Sequence, residues 1–121
     1  MAKNIFEDFD FETYTELLTE AKEDGIHLVH TFKKYYTKGG FTVAWQRAAG
    51  HKKCRMINVS VCFCSPNDFF ARKIGTMNAL ADFYNGQKIQ VPLGSEDDYE
   101  VVSALRNMFD ADQIYHNKDR W

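Results

Sequence analysis

KCRMINVSVCFC (53–64) decides the fold, because its second half alternates in character. Ile57, Val59, Val61 and Phe63 take every second position with Asn58 and Ser60 between them, and a period of two places an apolar set on one face of a β-strand. One face should pack and the other stay partly wet. Upstream, FTVAWQRA (41–48) repeats the pattern through Phe41, Val43 and Trp45, and IHLVHTFKKYYT (26–37) is a further strand-like run. TKGG and AGH separate the three as hairpin turns, which predicts an antiparallel meander.

Helical patterns flank this block. Asp10 can cap a helix to about Asp24, with Phe11, Tyr14, Leu17, Leu18 and Ala21 as its buried stripe and Gly25 as its stop. Ser65 followed by Pro66 and Asp68 predicts a second helix start, and Phe70, Ile74, Met77, Leu80 or Ala81, and Tyr84 carry it to Asn85-Gly86. Gly75 inside it costs about 1 kcal/mol relative to Ala, and marks either close approach to the sheet or a tolerated substitution. KIQVPL (88–93) reads as a short edge strand ended by Pro92, and Ser95 with Asp98 as a capping box for a helix to about Phe109. The expectation is an α+β fold: a three-stranded antiparallel meander with helices on one face, in the order α-β-β-β-α-(β)-α. It forms one domain with its core over about residues 10–109 and a loosely held tail at 110–121.

The 121 residues, 45% hydrophobic and 15% aromatic with two prolines, have the composition of a folded globule able to bury one modest core. No internal repeat, low-complexity tract, secretory leader or membrane-length apolar run stands out, so a cytoplasmic protein that does not enter a membrane is expected. Three cysteines, an odd count, suit a reducing compartment.

Net charge of −2 conceals a segregation along the chain. Residues 1–24 carry eight acids against two bases, and residues 68–121 nine acids against six bases. From 25 to 67 there is no acid, while Lys33, Lys34, Lys38, Arg47, Lys52, Lys53 and Arg55 give +7. Such a block predicts one electropositive face. Tyr35, Tyr36, Phe41 and Trp45 are interleaved with it, and exposed rings can stack on bases while cations hold phosphates. The competing reading makes Phe41 and Trp45 core and the lysines protection of sheet edges. Arg72 and Lys73 extend the set: Arg72 stands four residues after Asp68, a spacing that suits either a phosphate site at a helix start or a plain intrahelical pair. The candidate binding residues are therefore Lys33, Lys34, Tyr35, Lys38, Arg47, Lys52, Lys53, Arg55, Arg72 and Lys73.

His51, Cys54, Cys62 and Cys64 alone combine metal-ligand chemistry, but H-x₂-C and C-x-C do not make the paired spacing of a zinc site, and packing is the better reading. No phosphate loop, dinucleotide fingerprint, nucleophile elbow or deaminase signature occurs. Neither catalysis, a cofactor nor a metal is expected.

The order α-β-β-β-α over 10–84 resembles the double-stranded RNA-binding domain, whose second helix also begins with a basic cluster, as ARKIG (71–75) does here. That family's glycine- and lysine-rich approach to the helix is replaced by CSPNDFFARKIG, so its RNA contacts do not carry over residue by residue. A second resemblance, over about 59–80, is to small uncharacterised phage and prophage proteins in which a strand ends in Cys-Ser-Pro-x-Asp before Phe and an Arg-Lys-x-Gly helix. It implies a viral accessory protein. Together with the charge pattern, the expected role is a non-enzymatic antagonist of host defence that binds and modulates a host protein or nucleoprotein complex. Direct binding of RNA or DNA by the basic sheet face is the alternative, and the oligomeric state is left open.

Overall fold

In a computed structural model four strands pair in the order β1-β2-β3-β4, each antiparallel to its neighbour. They are β1 (His27–His30), β2 (Phe41–Arg47), β3 (Ile57–Phe63) and β4 (Ile89–Val91), with helices α1 (Phe11–Glu23), α2 (Arg72–Tyr84) and α3 (Asp98–Arg120). The structure describes residues 10–30, 40–49, 53–64, 71–93 and 95–120, with side chains as far as Phe109. The α+β class and the element order are those expected, and the optional last strand is present.

The helices cover both faces of the sheet, a correction to the expected single face. Val29, Phe41, Val43, Trp45, Ile57 and Val59 form one core with Val101, Leu105 and Phe109 of α3. On the opposite face Ala44 packs with Ala79, Leu80 and Phe83 of α2 and with Ala21 of α1. The face expected to be wet carries Thr42, Ala44, Ser60 and Cys62, and their small size lets a helix settle on it: Thr42 and Ser60 are buried, as are Gly75 and Thr76 of α2. Register fixes which residues share a face, since Val43 lies opposite Val29 and Val61, and Ala44 opposite Leu28 and Ser60.

α1 begins and ends where expected. The Asp10 carboxylate accepts the N–H groups of Glu12 and Thr13 at 3.1 and 3.2 Å. Gly25 takes φ 72° so that the Ile26 N–H can reach the Ala21 carbonyl at 2.8 Å, which turns buried Ile26 under the helix end. Phe11, expected in the buried stripe, is half exposed instead. α1 and α2 run side by side in the same direction: the Lys73 ammonium lies 5.4 Å from the Phe11 ring near one end, and the Tyr84 hydroxyl donates to Asp24 at 2.7 Å near the other.

Two helix starts differ from the reading. α2 opens at Arg72, because Ala71 is extended (φ −120°, ψ 112°) and offers no side-chain cap, so the intrahelical ladder begins at the Gly75-to-Ala71 bond. Ser65 and Asp68 lie outside the described residues. α3 is capped by Asp97, whose carboxylate accepts the Tyr99 N–H at 2.9 Å, while Ser95 donates its hydroxyl to Glu100 at 2.7 Å. Ser95, the expected cap, thus lies two residues upstream of the observed one, and its expected box partner Asp98 pairs with Arg47 instead. α3 also continues beyond the expected end near Phe109, through to Arg120.

Candidate interaction surfaces

Arg47 is placed inside the molecule, a correction to its reading as a surface contact. It follows Phe41, Val43 and Trp45 on the face that α3 covers and is 7% exposed. Its guanidinium donates to the Asp98 carboxylate and, at 2.8 Å, to the Ser95 carbonyl, and it lies 5.2 Å from the Trp45 ring centroid. A cation this deep needs such partners, because an unpaired buried charge is costly.

The exposed candidates divide between the two ends of the sheet. Lys53 and Arg55 stand before β3, at the end where Arg47 pairs with Ile57. Arg72 and Lys73 open α2 after β3 has run its length of about 20 Å, at the end where Phe41 pairs with Phe63. Lys33, Lys34, Tyr35, Lys38 and Lys52 lie outside the described residues. The described cations therefore do not share one wall.

Among the described residues the second end is the more cationic. There the Arg106 side chain donates to the His30 carbonyl at 3.2 Å, and the His30 ring shares a 2.9 Å hydrogen bond with the Thr42 hydroxyl. Burial, then the nearby charges of Arg72 and Arg106, push the imidazole down to about 4. Phe63, 40% exposed, stands at the same end against Phe41 and Phe109. Arg106 was not among the residues singled out from the sequence, because only folding brings α3 to β1.

His30 has a consequence for pH dependence. Its folded pKa lies below the ordinary 6.5, so the unfolded chain binds the proton first, and the stability it contributes is complete above pH 6.5 and lost as pH falls towards 4. A displacement of that size corresponds to about 3 kcal/mol at most, which partial exposure of the ring reduces to about 1–2 kcal/mol. Urea midpoints measured from pH 4 to 7 should fall more steeply for the native chain than for His30→Gln. Parallel curves would remove His30 from this role.

Acidic residues mark a third surface. Glu12, Glu16, Glu20 and Glu23 are exposed along the outer side of α1, with Thr15 and Thr19 between them. Burial pushes the Cys62 thiol up, away from the reactive thiolate, and Cys54 accepts the Ala49 N–H while donating to the Met56 carbonyl. Among the described residues no three potential metal ligands converge, and His51 lies outside them. No described helix is long and apolar enough to cross a membrane.

The described residues define an α+β protein with a four-stranded antiparallel sheet between helical layers. Comparison with protein-family models, with curated proteins and with solved structures finds no match to this chain.

Proposed function

We propose that this chain is a non-catalytic accessory protein, of the kind phages encode, that binds and modulates a host nucleic-acid machine such as a defence nucleoprotein complex. The observation that carries the reading is the sorting of charge onto separate surfaces. A row of carboxylates lines α1, and Arg72, Lys73 and Arg106 gather at the end of the sheet where β1 stops. A nucleoprotein presents both signs, phosphates on its nucleic acid and cations on the protein that holds it, and complementary patches steer such encounters and fix their register.

Capture from host lysate tests this. The immobilised chain should retain a protein complex that survives nuclease, and Arg72→Glu with Lys73→Glu should reduce the retained amount about tenfold. Capture unaffected by the charge reversal would discard this surface.

Direct nucleic-acid binding has its own supporting observation, the half-exposed Phe63 ring beside those cations, since a ring next to Arg and Lys suits base stacking. Under that reading nuclease removes everything retained, and the binding constant falls steeply with salt.

A further inference from the structure

The segment before β3 and the segment that leads into α3 line an open groove of about 890 Å³ at the end of the sheet opposite Arg72. Lys53, Cys54 and Arg55 come from the first, and Pro92, Ser95, Glu96 and Glu100 from the second. Opposite charges thus face one cleft, yet they do not neutralise each other through contact. Among the described residues Lys53, Arg55 and Glu96 make no ion pair or hydrogen bond, and the Glu100 carboxylate holds only the Ser95 hydroxyl. Beside the charged residues in sequence stand two exposed apolar side chains, Met56 at 37% and Tyr99 at 75%.

A polyanion does not fit here, since Glu96 and Glu100 would repel it. A surface that carries one positive and one negative flank is instead its own complement under a two-fold rotation, the relation that an isologous dimer requires. We propose that the face bearing this groove is a self-association surface, met across a two-fold axis by the same face of a second copy of the chain. Lys53 and Arg55 of each copy meet Glu96 and Glu100 of the other. The inference is independent of the proposed function, whose cations lie at the other end of the sheet.

Sedimentation velocity on the full chain at increasing concentration and at low and high salt is the first test. A dimer should form with concentration and weaken as salt screens the cross-pairs. Lys53→Glu with Arg55→Glu should weaken it at least about tenfold, as should Glu96→Lys, with circular dichroism verifying that each variant is folded. The two variants mixed in equal amounts should form a one-to-one heterodimer, because each then supplies the charge the other lacks. A native chain that stays monomeric to about 1 mM overturns the proposal, and so does a dimer that keeps its affinity in both variants or one that the mixture fails to restore.

Discussion

Trp45→Ala is expected to lower the free energy of unfolding by about 3–5 kcal/mol, a large part of the 5–15 kcal/mol typical of a whole domain. The ring is fully buried at the centre of the β2 face under α3, where it joins Val29, Val43, Val59 and Leu105 in one core. Its neighbours depend on it: His27 stacks on the indole with centroids 4.3 Å apart, and the Arg47 guanidinium lies over it. Truncation removes apolar contact and leaves a cavity that a sheet clamped between helices cannot close. Trp45→Phe should cost much less than Trp45→Ala, because the indole N–H has no hydrogen-bond partner among the described residues and its removal relieves a buried orphan donor. Urea denaturation of both variants checks the ordering; equal losses, or a loss under 1 kcal/mol for Ala, would contradict this placement of the ring.

The second large effect belongs to the Arg47–Asp98 pair. Asp98→Ala leaves the guanidinium buried with, among the described residues, only the Ser95 carbonyl for an acceptor, and breaking a buried pair in this way costs about 3–5 kcal/mol. The carboxylate is 44% exposed, so water compensates in part and the expected loss is about 2–3 kcal/mol. Arg47→Met should be milder, since it removes the charge together with an Nε that has no partner among the described residues, and fills the space with apolar atoms. In the double variant the loss should fall well short of the sum of the two singles. A double-mutant cycle by chemical denaturation measures that coupling, and strict additivity would deny the pair any energetic role.

Arg47 also shows how far the sequence can be read. Its parity was available: it stands at an odd position after Phe41, Val43 and Trp45, on the face that alternation sends inward. The lack of acids over 25–67 masked this, because a charge count takes no account of which way a side chain points. The strands and the α1 boundaries were legible for local reasons, namely a period of two, an Asp cap and a Gly stop. The start of α2 was not, since Ser-Pro-x-Asp carries a helix-start signature whereas Ala71, which precedes the helix, has no capping group at all. Nor was the second helical layer, because small polar residues between apolar ones look alike whether they face water or a closely packed helix such as α2 with Gly75 and Ala79. The gathering of Arg72, Arg106 and His30 depends on three elements far apart in the chain, and no local pattern encodes it.

The placement of α3 bears on how the protein is made. Strands β1 to β3 pair only with chain neighbours, and α1 and α2 can cover one side of them as soon as they emerge from the ribosome. The other side carries Phe41, Val43, Trp45, Ile57 and Val59, and among the described elements no helix covers it until α3 has been synthesised. During that interval the nascent chain presents a sticky apolar wall, the kind of surface that recruits chaperones and seeds aggregation.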